Sequence, residues 1–272
     1  MTSLVKYENH FENNTTLIFL HIGKPVLING CQIFSTSTMM SVFKKYYVSD
    51  AMQNDVREAL TKLDSEVDKD DLNTVVSVCP AYLKLIDEQT PELCMAAVRK
   101  HGWAIQFVKE QTPELCLAAV QNYGLSLEHV VDQTPDLCLA ALQNDGWALR
   151  YVKEQTPDLC LAAVQNNGLS LKFVKEQTPD LCLAAVQNDG WALHLVKKQT
   201  PDLCLAAVQN NGWVLRYVDE QTPEICLATV ENNAWALQFV KNQTPEICMA
   251  AIKKDALAIQ FVKDSSMVSQ IA

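Results

Sequence analysis

The chain has 272 residues, 49% of them apolar and 20% charged, with a net charge of −10. That apolar content supplies a sizeable core and excludes intrinsic disorder. Residues 1–88 hold 8 Lys/Arg against 12 Asp/Glu and residues 89–264 hold 14 against 20, so neither part carries the basic stripe that a phosphate backbone or an anionic membrane surface would require.

Residues 1–14 are polar and expected to be loosely held. Leu17–Ile22, Val26–Ile28 and Cys31–Phe34 are short β-prone runs separated by Gly23-Lys24-Pro25 and Asn29-Gly30. Asn-Gly between apolar runs is a strong hairpin signal, so the spacing predicts a small β-meander; a buried helix would give similar hydrophobicity. The greasiest run, Thr16 to Phe34, is interrupted by these same turn residues. It falls short of the ~20 apolar residues of a membrane helix, and no membrane association is expected. Ser35-Thr36-Ser37-Thr38 can cap a helix over Met39–Tyr47. Asp50 can cap a second, with Met52, Val56, Leu60, Leu63 and Val67 on one face. The first twelve residues, with Lys6, Glu8 and Glu12, do not read as a signal peptide. A reducing, cytoplasmic setting with free thiols is therefore expected.

From Gln89 the chain changes character. Close copies of Gln155-Thr156-Pro157-Asp158-Leu159-Cys160-Leu161-Ala162-Ala163-Val164-Gln165-Asn166 begin at Gln89, Gln111, Gln133, Gln155, Gln177, Gln199, Gln221 and Gln243, at a constant period of 22 residues. A fixed period of this size is the signature of stacked repeats. Residues 67–88 read as a worn ninth copy: Leu83-Lys84-Leu85-Ile86-Asp87-Glu88 matches the closing half, while the Thr-Pro start is lost. The domain organisation expected is an N-terminal cap region (1–66), a repeat array (67–264) and a tail (265–272).

Within one copy, Thr156 suits a helix N-cap, Pro157 the first helical position and Asp158 the positive end of the dipole. Gly168 reads as a left-handed residue ending that helix, and a second helix is expected from about Leu169 to Lys175. Leu159, Cys160, Leu161, Ala163 and Val164 are expected inside, with Lys172, Lys175 and Glu176 on a solvent line. Helices this short are not stable alone, so neighbouring copies must supply the stability. The fold class expected is all-α: an α-solenoid of short helical hairpins with a small N-terminal α/β cap.

Three repeated features could carry chemistry. The cysteine ladder (Cys94, Cys116, Cys138, Cys160, Cys182, Cys204, Cys226, Cys248) lacks the close Cys or His pairs of a metal site and reads as apolar filler. Trp103, Trp147, Trp191, Trp213 and Trp235 share a position that is Leu125, Leu169 and Leu257 elsewhere, which favours packing between copies over a stacking surface. Copies two to five alternate Leu-Ser-Leu with Trp-Ala-Leu, which points to duplication of 44-residue units. On the solvent line, one position reads Gln106, Glu128, Arg150, Lys172, His194, Arg216, Gln238 and Gln260. Variation inside so uniform a frame suits either a protein-binding row, joined by Lys109, Lys153, Lys175 and Lys197, or drift on an exposed face.

The phrase Thr-Pro-Glu-Leu-Cys-Leu-Ala-Ala-Val-Gln-Asn-x-Gly, followed by an aromatic or Leu and then Leu-x-Tyr/Phe-Val-Lys, resembles the helical repeats of domain-of-unknown-function family 4116, found in giant amoebal viruses and some bacteria. The resemblance covers residues 89–264. It implies a helical array and a viral or bacterial origin, with the host-cell cytoplasm as the setting if viral. It implies no activity, cofactor or catalytic residue.

No enzyme is expected. His10, His21, His101, His129 and His194 occupy unrelated positions, and no Gly-rich phosphate loop or Gly-x-Ser-x-Gly is present. Neither a cofactor nor a metal nor nucleic acid is expected as a ligand. The functional expectation is a repeat scaffold for a protein partner. The alternatives are a structural spacer that binds at its ends, and a functional or targeting module in residues 1–66 with the repeats as a handle.

Overall fold

The computed structural model describes residues 5–7, 17–21, 25–29, 32–35, 73, 76–77, 80–86 and 88–264. The helices expected over Met39–Tyr47 and from Asp50 to Val67, much of the worn copy's opening half, and the tail lie outside the described residues. The chain divides into two compact units, residues 1–132 and 133–272.

The first unit contains an antiparallel meander of β1 (Val5–Tyr7), β2 (Leu17–His21), β3 (Pro25–Asn29) and β4 (Gln32–Ser35), in that spatial order. Asn29 pairs with Gln32 across a two-residue hairpin. The polar start was not expected to be ordered, yet Val5-Lys6-Tyr7 adds an edge strand by pairing Val5 with Phe19. After the sheet comes η1, a 3-10 segment at Pro80–Leu85, 22 residues before its counterpart in the first full copy. The unit closes with α1 (Pro91–Lys100), η2 (Gly102–Phe107), α2 (Pro113–Asn122) and η3 (Gly124–His129).

The second unit holds the other six copies. Its helices are α3 (Pro135–Asn144), α4 (Pro157–Asn166), α5 (Pro179–Asn188), α6 (Pro201–Asn210), α7 (Pro223–Asn232) and α8 (Pro245–Lys254). They alternate with η4 (Gly146–Tyr151), η5 (Gly168–Phe173), η6 (Gly190–Leu195), η7 (Gly212–Tyr217), η8 (Ala234–Phe239) and η9 (Ala256–Phe261). Each helix packs on the next and each 3-10 segment on the next, which is the layering of an α-solenoid.

Each helix begins as its residues dictate. Thr156 Oγ1 accepts the Leu159 amide at 3.4 Å, Pro157 fills the first helical position, and the corresponding threonine does the same in all eight copies. The exit differs from the sequence expectation. The chain leaves the helix through Asn167 in extended conformation (φ −149°), whose amide donates to Ala163 O at 2.9 Å and whose Oδ1 accepts the Leu169 amide at 3.0 Å. Gly168 does not have the left-handed backbone expected of it. Glycine is needed because the next copy lies against it: a Cβ at Gly168 would stand 2.4 Å from Ala185 O.

The second element is also a correction, being a six-residue 3-10 segment rather than an α-helix to Lys175. Three residues per turn stack Gly168, Leu171 and Val174 on one buried line and leave Lys172 and Lys175 exposed. The core is therefore Leu159, Cys160, Ala163 and Val164 from the helix, with Leu171 and Val174 from the 3-10 side. Leu161, expected inside, is 37% exposed on the outer helix face. Ile259, in the last described copy, is 43% exposed where Leu171, Leu193, Leu215 and Leu237 are fully buried.

Ser170 Oγ is buried without a hydrogen-bond partner, at the position held by Ala148 in the preceding copy. An orphaned buried hydroxyl costs about 1–3 kcal/mol. Ser170→Ala is therefore expected to raise stability by about 1 kcal/mol, seen as a higher denaturation midpoint at unchanged slope.

Candidate functional site

The expected solvent row is exposed at every position: Gln106, Glu128, Arg150, Lys172, His194, Arg216, Gln238 and Gln260. Several of its side chains are nonetheless engaged locally. Gln106 Nε2, Arg216 Nε and Gln238 Nε2 donate to the carbonyl three residues earlier, at 3.0, 3.2 and 2.9 Å, and His194 Nδ1 meets Trp191 O in the same way. Arg216 Cζ stands 4.4 Å from the Phe239 ring centroid and within 6 Å of Trp191 and Trp213. Arg150 Cζ stands 4.7 Å over Tyr151.

Three of the lysines placed beside this row fasten the stack. Lys109 Nζ donates to Ile86 O at 3.0 Å, Lys175 Nζ to Lys153 O at 3.4 Å and Lys197 Nζ to Lys175 O at 3.2 Å, each in the preceding copy.

Four of the five tryptophans pack between copies, while Trp103 meets Phe107 of its own copy edge-on at 5.7 Å. Trp147 meets Phe173 edge-on at 5.4 Å, Trp191 meets Tyr217 at 5.8 Å, Trp213 meets Phe239 at 5.7 Å and Trp235 meets Phe261 at 5.3 Å. Where the fourth copy has Leu169, the matching position in the fifth is Leu195, whereas Leu125 of the second copy is matched with Tyr151 of the third.

Two amides in the repeated phrase do structural work that sequence reading passed over. Gln155 Nε2 donates to Phe173 O at 2.9 Å and to Leu149 O of the preceding copy at 3.5 Å, while its Oε1 accepts the Lys175 amide at 3.1 Å. Asn166 Oδ1 accepts the Gly146 amide at 2.7 Å, and its Nδ2 donates to Gln143 O at 2.8 Å. The signal for both was uniformity. The opening Gln is identical in eight copies, while exposed positions nearby change from copy to copy.

The eight ladder cysteines are buried free thiols. Seven of the Sγ atoms face the opening Gln of their own copy, as Cys160 Sγ faces Gln155 Oε1 at 3.7 Å. Burial pushes the thiols upward; for Cys204, burial and then the Asp219 carboxylate bring it to about 11. Such thiols are poor nucleophiles.

Small clefts open between successive helix N-termini. One, of about 320 Å³, lies at Gln155, Cys160, Lys175 and Glu176; another, of about 170 Å³, lies at Gln199, Cys204, Asp219 and Glu220. Among the described residues, no three His, Cys, Asp or Glu side chains gather as a metal site, and no helix is long and apolar enough to cross a membrane.

Residues 134–178 and 178–222 match the family described as a domain of unknown function, DUF4116. Each DUF4116 match spans two 22-residue copies, the length of the Leu-Ser-Leu and Trp-Ala-Leu alternation. No curated protein and no solved structure matches the chain.

Proposed function

We propose that the chain is a non-enzymatic repeat scaffold that binds a protein partner along its exposed helical surface. The observation supporting this is the contrast between a constant frame and a changing row. Gln155, Asn166 and their equivalents fix the stacking of one copy on the next, while the exposed position reads Gln, Glu, Arg, Lys, His, Arg, Gln and Gln. A frame that holds its spacing while one outward residue varies suits a modular binding face. The raised thiols support a packing role for the one reactive side chain that recurs in every copy.

The test is site-specific photo-crosslinking in the full chain, with the probe at Lys172, at His194 or at Glu58. A protein captured from Lys172 and His194 is the expected result. Capture from Glu58 alone would transfer the activity to residues 1–66 and leave the repeats as a handle.

A further inference from the structure

The outer face of the helices in the second unit is patterned in a way that the packing does not require. Leu139 and Leu161 are 36% and 37% exposed, and Leu183, Leu205 and Leu227 hold the same position half-buried in the following copies. Three residues earlier, on the same helix face, stand the exposed carboxylates Asp136, Asp158, Asp180, Asp202 and Glu224. Helices α3 to α7 contain no Lys or Arg at all. The nearby lysines are turned away to backbone carbonyls: Lys175 to Lys153 O, Lys197 to Lys175 O, and Lys241 to Asp219 O at 3.1 Å. An aliphatic row thus runs beside an acidic row that no helix-borne cation offsets.

Spacing narrows the occupant. Packed helices lie about 8–10 Å apart, and a polyproline II segment has three residues per turn and advances about 3.1 Å per residue, so every third side chain returns to the same face one copy further on. The clefts at the edge of this face are the size of single side chains rather than of a helix. One of them stands apart: where six other copies have Lys, the sixth has Asp219, and its cleft is lined by Asp219, Glu220, Gln199, Thr200 and Cys204, with no cation.

We propose that α3 to α7 dock a basic polyproline II segment of a partner protein, with Lys or Arg at every third residue. Its cations meet the five carboxylates in turn, its intervening apolar side chains lie on the leucine row, and one cation enters the Asp219–Glu220 cleft. This rests on the scaffold reading and assigns it a second face and a partner chemistry.

The test is fluorescence anisotropy of the full chain with a labelled peptide of about eighteen residues that repeats Lys-Pro-Pro. A peptide of the same composition with its lysines at irregular spacings is the comparison. The expected result is about tenfold tighter binding of the three-residue period, weakening steeply with salt. Asp219→Lys restores the residue of six other copies and its fastening to the preceding copy, so the thermal melt should not fall while affinity falls about tenfold. Leu161→Gln with Leu205→Gln should lower affinity without abolishing its salt dependence. Equal affinity for the two peptides, or an Asp219→Lys chain that binds as well as the native one, overturns the inference. If a partner still crosslinks from Lys172 in that case, the docking face fails and the scaffold reading stands.

Discussion

Gly168→Val is expected to cost about 2–3 kcal/mol, the range for forcing atoms into a filled site whose neighbours cannot yield. The obstacle is Ala185 O, a backbone atom 2.4 Å from where the new Cβ must sit, so no side-chain rotation relieves it. The second γ-methyl of valine makes the overlap worse. Gly212→Ala provides the internal comparison, since its nearest backbone atom, Thr229 O, stands at 3.1 Å. Equilibrium denaturation should rank Gly168→Ala as clearly more damaging than Gly212→Ala. Equal costs at the two positions would mean that close approach between copies is not what selects glycine.

Asn188→Ala is expected to cost a similar amount by another route. It removes the acceptor of the buried Gly168 amide, held at 2.7 Å, and the donor to Gln165 O at 2.8 Å. A buried donor left without a partner costs about 1–3 kcal/mol, and losing the exposed bond adds less. Asn188→Asp keeps an oxygen for the Gly168 amide and loses only the donor, so its cost should be smaller. Because stability in such a stack passes only between neighbours, Asn188→Ala should also reduce cooperativity and lower the slope of the denaturation curve. A single sharp transition with an unshifted midpoint would show that the junction does not depend on this amide.

The repeat period, the helix starts and most of the buried face could be read from residue types alone. Thr156, Pro157 and Asp158 announce a helix through local chemistry, and the structure uses each as its chemistry suggests. What failed was whatever depended on the neighbouring copy. Gly168 looked like a helix stop because glycine after a helix usually is one, but its role is set by a carbonyl 17 positions further along the sequence. The 3-10 segment was taken for an α-helix because three-residue and four-residue spacings cannot be told apart over six residues. Leu161 was placed inside by hydrophobicity, whereas helix geometry puts it beside Asp158. In the candidate row, exposure was legible at every position, but the turn of Gln106, Arg216 and Gln238 onto their own backbone was not.

One within-chain comparison shows what a more careful reading could have recovered. Gly and Asn occupy paired positions 20 residues apart at Gly146 and Asn166, Gly168 and Asn188, Gly190 and Asn210, and Gly212 and Asn232. At the last junction the pair becomes Ala234 and Lys254 together, and at the first, Pro80, which has no amide hydrogen, is matched with Lys100. Two positions that change together across copies of one chain behave as one device.

The amide and ammonium fasteners named above point the same way between copies. Gln155, Asn166 and Lys175 each reach to the copy before them, and none of the three reaches to the copy after. The stack therefore has a grain. A copy deleted from its later end carries its fastening groups away and bares the backbone of the one beneath; a copy deleted from its earlier end leaves polar side chains that water can satisfy. Shortening this molecule should be tolerated far better from one direction than from the other.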